Sequence, residues 1–241
     1  MIVANLATYP ARRSHLLPVI EAMAPQVDRI NLVLNEYNEV PDELAGVPNL
    51  NPIIPADNTR DTGKFMPDVE DADLVFLIDD DQIYPPDYVD YARRSVEKID
   101  LNRFVAGFHG TIYKRRRLKT LFKPILRRRQ VFFFKKALER TTRVSQLGTG
   151  HLIARPSMLP PFDYMKDAKR FVDIRFARWC HEKKIPMLCL ARPEGYLNDI
   201  EFDETIYRDF TIKQHEHVVS EIMTFAHKGK DVGRAAPLLS Q

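Results

Sequence analysis

The segment Leu74-Val75-Phe76-Leu77-Ile78-Asp79-Asp80-Asp81 decides the fold. Five apolar residues in a row cannot alternate between core and solvent, so they suit a strand buried on both faces, as in the middle of a parallel sheet. Three carboxylates follow without a break. Such a trio repels itself unless a cation or hydrogen-bond donors offset the charge. In an open α/β sheet, ligands bind beyond the carboxyl ends of the strands, where this trio falls. Alternate side chains of an extended segment share a face, so Asp79 and Asp81 point together and Asp80 points away. Two hard oxygen ligands with room for waters and phosphate oxygens suit Mg²⁺ or Mn²⁺. Helix capping would explain Asp80 but not the trio, because the next helix opens several residues later, at Pro85-Pro86.

On both sides of this segment strand and helix signals alternate. Ile2 to Thr8, Arg29 to Leu34 and Leu50 to Ile54 read as strands. Between the first two, Leu16, Leu17, Ile20 and Met23 have helical spacing, with Pro18 expected to start or bend that helix. A helix is expected from Pro85-Pro86 to about Ile99. Strands alternating with helices predict a doubly wound α/β sheet. In the second half, Phe104 to Gly107, His151 to Ala154 and Pro186 to Ala191 read as strands. Asp167 to Lys183 and Gln214 to His227 read as helices. The chain is expected to form one domain over residues 1–228, with a basic insertion at 114–143 and a flexible tail over 229–241.

The formal net charge of +3 conceals an asymmetry. Lys114 to Arg143 holds 13 Lys/Arg and one acid, Glu139, leaving 23 bases against 32 acids elsewhere. The split predicts a segment with its own anionic partner. Phe122, Phe132, Phe133 and Phe134 interleave with the bases, which offers a nucleic-acid-binding reading through stacking. The acidic remainder and the aspartate trio argue against it. Leu118, Leu121, Phe122, Ile125 and Leu126 fall at helical spacing, interrupted by Pro124, and suit an interfacial helix on an anionic membrane. Cys180 and Cys189 form neither a disulfide framework nor a metal knuckle. The absence of an 18-residue apolar stretch and of a signal-peptide pattern predicts a cytoplasmic protein, with peripheral contact at the inner face of the membrane.

Leu77-Ile78-Asp79-Asp80-Asp81-Gln82-Ile83-Tyr84-Pro85-Pro86-Asp87-Tyr88-Val89 resembles the DXD region of GT-A glycosyltransferases, close to family 2. It is similar to a bacterial group with a DDDxxYPxDY signature. Further matches follow in order: Ala7-Thr8-Tyr9-Pro10-Ala11-Arg12, Asp61-Thr62-Gly63-Lys64-Phe65, Leu147-Gly148-Thr149-Gly150 and Val172-Asp173-Ile174-Arg175-Phe176-Ala177. The strand Ile185-Pro186-Met187-Leu188-Cys189 completes the series, which spans about Ile2 to Gly195.

The resemblance implies a GT-A, Rossmann-like, mixed but mostly parallel sheet flanked by helices. It implies an inverting transferase that moves a sugar from a nucleotide diphosphate, with a UDP-sugar expected, to a glycan or lipid-linked acceptor. Polysaccharide biosynthesis is the setting it suggests. Thr8, Tyr9, Pro10 and Arg12 would approach the base and ribose, as would Asp57, Asp61, Gly63 and Lys64. Gly63 would let backbone approach the ligand, and Lys64 would meet the diphosphate or base. Asp81 would be the principal Mn²⁺ or Mg²⁺ ligand, Asp79 would assist it or hold the ribose, and Asp80 would line the nucleotide site. Asp173 would be the general base, although Val172 stands where family 2 enzymes commonly carry a first acid. Gly148, Thr149, Gly150 and His151 would lie under the donor sugar, His151 reaching a phosphate or the metal. His215 would supply a third metal ligand; it and His217 are two apart on a helix and cannot both serve. The alternative enzyme class is a nucleotidyltransferase, which normally carries a Gly-rich basic phosphate loop that is missing near the first strand. No GxxxxGK[ST] or GxGxxG is present for a kinase or dehydrogenase.

Overall fold

The computed structural model describes residues 1–115, 122–200, 216–229 and 231–236. Its strands are β1 (Ile2–Thr8), β2 (Arg29–Leu34), β3 (Leu50–Ile53), β4 (Leu74–Ile78), β5 (Gln82–Ile83), β6 (Val105–Gly107), β7 (Gly110–Tyr113), β8 (Arg129–Phe132), β9 (Thr142–Val144), β10 (Gln146–Leu147), β11 (His151–Ala154), β12 (Met187–Cys189) and β13 (Asn198–Asp199). The helices are α1 (Arg13–Met23), α2 (Tyr88–Val96), α3 (Phe162–Met165), α4 (Val172–Glu182) and α5 (Glu216–Phe225).

An eight-stranded sheet runs in the order β3-β2-β1-β4-β11-β6-β12-β9. The pairs β3/β2, β2/β1, β1/β4 and β6/β12 are parallel. Strand β11 runs antiparallel to both β4 and β6, and β9 antiparallel to β12. The expected mixed, mostly parallel sheet is therefore present. Its two faces explain the apolar run in β4: Phe76 and Ile78 join the core under α1 and α2, while Val75 and Leu77 join the core under α4 and α5. Both faces are covered, so no position in β4 needs to be polar.

Several boundaries differ from the sequence reading. Helix α1 runs through Pro18 without stopping, from a short 3₁₀ turn at Pro10–Arg12. Pro18 lies early in the helix, and its missing N–H costs a single bond to the first turn. Helix α2 begins at Tyr88, after the Pro-Pro pair, and α4 begins at Val172, with α3 separate from it. The first residues expected in the last helix, 214 and 215, lie outside the described residues. The tail expected to be loose is held in part. Gly233 N–H donates to the Arg143 carbonyl at 2.8 Å, and Arg143 N–H donates to the Arg234 carbonyl at 2.9 Å. Residues 231–236 thus cover the edge of β9, satisfying backbone groups that would otherwise face water.

The basic insertion is built on an antiparallel hairpin, β7–β8, with β10 on its other side. Arg128 is buried within it and closes the arm, donating to the carbonyls of Lys123 at 2.9 Å and Lys114 at 2.7 Å. Ile125 and Leu126, expected on a membrane-facing stripe, are buried against the core under α5 instead. Leu118 and Leu121 lie outside the described residues. No helix among the described residues is long and apolar enough to cross a membrane.

Candidate nucleotide-sugar site

The parallel strands β1 and β4 end side by side, and their ends carry the polar residues of the site. Asp80 turns toward β1 and accepts the Thr8 hydroxyl at 2.7 Å. Burial, reinforced by the charges of Asp81 and Asp79, pushes its carboxyl up to about 6. Asp79 points elsewhere and pairs with the ammonium of Lys64. The Asp79 N–H donates to the Tyr84 hydroxyl at 2.9 Å, and that hydroxyl donates to the Gly150 carbonyl at 2.8 Å. Tyr84 therefore fastens the strand end to the glycine loop of residues 148–150. A Cβ on Gly150 would collide with the Asp79 carboxylate, so only glycine fits there.

Asp81 accepts from the Gln82 amide at 2.9 Å and stands 3.6 Å from the Arg12 guanidinium. Burial and then the charge of Asp79 raise its pKa, so these two carboxylates sense one another. Asp80 is buried against Thr8 of β1, whereas Asp79 and Asp81 are each partly exposed.

Lys64 occupies the centre of the acids. It is 2% exposed, on a 3₁₀ turn whose carbonyl accepts the Asn5 side-chain amide at 3.0 Å. Burial works against its charge, but Asp79, Asp173 and Asp61 outweigh that, leaving its pKa raised. Asp61 itself is raised by burial and accepts the Arg170 N–H at 2.8 Å. Gly63 has a packing role: a Cβ would lie 2.9 Å from Val33 Cγ1 and strike Thr59. Its lack of a side chain thus lets the turn settle on β1 and β2. Asp57 and Tyr9 are exposed, and Pro10 opens the turn after β1.

Asp173 sits in the first turn of α4 and accepts from Thr149 twice, from its N–H at 2.8 Å and its hydroxyl at 2.7 Å. Burial pushes its carboxyl up to about 6, against those hydrogen bonds. The glycine loop therefore bridges two acids, Asp79 through Gly150 and Asp173 through Thr149. Gly148 faces His109, its absent Cβ lying 3.1 Å from the His109 Cβ. His151 pairs with Ile78 across β11 and β4 but points into an aromatic core, 4.7 Å from the Phe134 ring and 5.8 Å from that of Tyr84. It is 3% exposed, and burial lowers its pKa to about 3, so it is neutral.

Among the described residues no group of three or more His, Cys, Asp or Glu could form a metal cage. His215 lies outside them, and His217 packs edge-on against Phe171 at 5.4 Å. The donor set is two half-exposed carboxylates, 38% for Asp79 and 33% for Asp81. Such a pair fits Mg²⁺ or Mn²⁺ that keeps several waters and shares phosphate oxygens, not a closed all-protein site. Lys64 engages one oxygen of Asp79, while Gln82 and Arg12 each face one oxygen of Asp81.

Sequence reasoning did not assign roles to Tyr84, His109 or Arg192. Tyr84 lies inside the quoted motif, and its spacing from Asp79 was a usable signal. His109 and Arg192 carry no local pattern.

No protein-family model matches the sequence, and no curated protein sequence matches it. Solved structures do match. Residues 1–349 of Staphylococcus aureus TarS, crystallised with UDP-GlcNAc, align over 95% of this chain and 68% of that one, at TM-score 0.54 and 12% identity. A nucleotidyl transferase from Methanothermobacter thermautotroptrophicus aligns over 91% and 98%, at TM-score 0.49 and 17% identity. The galactosyltransferase LgtC, with donor and acceptor sugar analogs, aligns over 77% and 66%, at TM-score 0.39 and 13% identity. The TarS match shows that the chain has the GT-A glycosyltransferase fold expected from its motifs.

Proposed function

We propose that this GT-A-fold chain is a sugar transferase that takes a nucleotide-diphosphate sugar, a UDP-sugar in our reading, and inverts the configuration at the transferred carbon. The observation that carries the proposal is the meeting of Asp79, Asp81, Lys64 and Asp173 around one glycine loop at the ends of β1 and β4. The turn from Thr8 to Arg12 and the turn from Asp57 to Lys64 flank the place where base and ribose would lie, with Asp80 bracing the first through Thr8. Asp81, with Asp79 behind it, would hold a Mn²⁺ or Mg²⁺ ion, which supplies positive charge to the departing nucleotide diphosphate. Lys64 and Arg12 add fixed positive charge in a partly desolvated mouth, where it acts more strongly than in water.

Asp173 accepts the proton of the acceptor hydroxyl. A carboxylate with a pKa near 6 is largely ionised at neutral pH yet more basic than an exposed aspartate, as general-base chemistry requires. Its two hydrogen bonds from Thr149 aim it from one side and leave lone pairs for the acceptor. The acceptor in this reading is a glycan or lipid-linked sugar. The exposed bases of the arm, Lys114, Arg115, Lys123 and Arg127, would bring the enzyme to an anionic surface that presents it.

The decisive experiment is calorimetry of UDP with Mn²⁺ on the wild type and on Asp81→Asn. The variant should bind UDP–Mn²⁺ at least tenfold more weakly while melting at an unchanged temperature, since Asp81 lies at the mouth and not in the core. Equal affinities would remove the metal assignment. Thermal-shift comparison of nucleotide sugars with nucleoside triphosphates separates a sugar transferase from a nucleotidyltransferase.

A further inference from the structure

We propose that His109 and Phe133 form a carbohydrate subsite beside the transferase site, with the Phe133 ring under the apolar face of an acceptor sugar and the His109 imidazole hydrogen-bonded to one of its hydroxyls. The inference rests on the transferase reading for its place in the reaction, but its geometry stands separately.

His109 lies between β6 and β7, and its carbonyl accepts the Gly148 N–H at 2.9 Å. It is thus tied to the loop whose next residue, Thr149, holds Asp173. The ring stands edge-on to Phe133 at 5.6 Å and 5.9 Å from Phe134. Its side chain is half-buried, and among the described residues its ring nitrogens meet no hydrogen-bond partner. Burial, with Arg192 and Arg129 nearby, lowers its pKa to about 4, so it is neutral and offers one donor and one acceptor. The His109 Cβ also lies 3.1 Å from where a Cβ on Gly148 would be, so the ring's backbone anchor is packed against the glycine loop.

Phe133 is 38% exposed. A lone exposed phenylalanine needs no explanation, but this one is held by a buried fork. Arg192, 4% exposed, donates to the carbonyls of Phe132 at 3.2 Å, Phe133 at 2.7 Å, Phe134 at 2.9 Å and Leu190 at 2.9 Å. Three consecutive carbonyls on one guanidinium fix the backbone under the ring, and Lys135 beyond it pairs with Asp199 of β13. Binding sites for small ligands commonly combine an apolar or aromatic surface with a few placed polar groups. A sugar ring presents that combination in reverse: C–H groups on its face and hydroxyls around its rim. A rigid aromatic face beside a neutral imidazole matches it, whereas a phosphate would call for charge that neither residue carries.

The test is NMR titration of the full chain with methyl glycosides of glucose, galactose, mannose and N-acetylglucosamine, with the His109 ring resonance assigned from His109→Ala. We expect at least one glycoside to shift that resonance and to receive saturation transfer from the protein. Phe133→Ala should weaken its binding roughly five- to tenfold, as loss of one aromatic contact would, and Phe133→Tyr should restore it. Phe133→Ala must keep the wild-type melting temperature; Phe133→Leu serves as a second variant with the same expected loss. If no glycoside moves His109, or if binding survives unchanged in Phe133→Ala and Phe133→Leu, the subsite is wrong. UDP with Mn²⁺ is titrated into the same wild-type sample. UDP binding without a glycoside response overturns the subsite alone, whereas failure of UDP to bind overturns the transferase reading and leaves a glycoside response as support for the subsite.

Discussion

The acidic ends of β1 and β4 and the basic arm at 114–143 are both like-charge clusters in the sequence, yet the structure treats them in opposite ways. Each aspartate of the trio is half-buried or buried and has a named partner: Lys64 for Asp79, Thr8 for Asp80, Gln82 and Arg12 for Asp81. In the arm, Lys114, Lys123 and Arg127 are exposed, and no carboxylate meets them among the described residues. The arm's interior cation, Arg128, donates to backbone carbonyls of the arm itself. Charges that leave water must find partners, because desolvation is costly, and so a buried cluster carries information about its neighbours. An exposed cluster stays solvated and constrains little beyond the sign of what approaches it.

The largest effect expected from this contrast is at Lys64. Lys64→Met leaves Asp79, with Asp61 and Asp173 nearby, without its buried cation. Removing one partner of a buried pair costs about 3 kcal/mol, at the low end here because Asp79 is partly open to water. Urea unfolding should show that loss, and the double variant Lys64→Met/Asp79→Asn should recover much of it. If Lys64→Met is as stable as the wild type, internal pairing does not hold the acidic end together.

How much of this was legible in the sequence follows from the same contrast. Strands β1, β2 and β4 and the helix between the first two are local units, each declared by its own period and joined by short crossovers. The acid trio was legible because it ends an apolar run, and Gly148–Gly150 because glycines mark close approach. The second half was read less well. Strand β11 enters between β4 and β6 in the antiparallel sense, and the strands β7, β8 and β10 pair around the basic arm, which no local period announces. The pairing of Lys64 with the acids was not legible, because only its burial beside Asp79, Asp173 and Asp61 reveals it. Arg192 escaped notice because its partners are carbonyls, which every residue has. The aromatic neighbours of His151, Phe134 and Tyr84, come from distant parts of the chain, so no local pattern announces them.

A second, somewhat smaller effect concerns pH. Asp80 and Asp173 both have folded pKa values raised to about 6, mainly by burial. A raised folded pKa means that the folded state binds the proton more tightly than the unfolded one. The associated stability is fully present below about pH 4, is lost as pH rises through about 6, and is flat above. Each group should contribute on the order of 2 kcal/mol to that decline. Asp80→Asn and Asp173→Asn should each reduce the difference in unfolding free energy between pH 4 and pH 7, measured in urea at both values. Exposed bases of the arm should not alter it. A decline that is the same in both variants and the wild type would mean that the site is more hydrated than its geometry indicates.

The smallest effect on the fold is expected where the contrast is most exposed, at the tip of the arm. Phe122 is 96% exposed, beside the exposed Lys123 and close to the exposed Arg127. None of these three contributes to the core, so Phe122→Ser, Lys123→Ser and Arg127→Ser should each change stability by less than about 0.5 kcal/mol. Their effect should fall instead on a surface that the arm meets. A base close to an anionic leaflet contributes about 1 kcal/mol, so each Ser replacement of a base should lower partitioning onto phosphatidylserine vesicles about fivefold. Salt should weaken wild-type binding through screening. Phe122→Ser should lower it further at high salt, where only the apolar contact persists. Arg128→Ser is the informative contrast: its guanidinium closes the arm on the carbonyls of Lys114 and Lys123, so this variant should lose stability as well as vesicle binding. Flotation at low salt with no binding by the intact chain would leave the arm a solvated surface, and the opposition between a paired acidic site and an anion-seeking arm would then hold only for its acidic half.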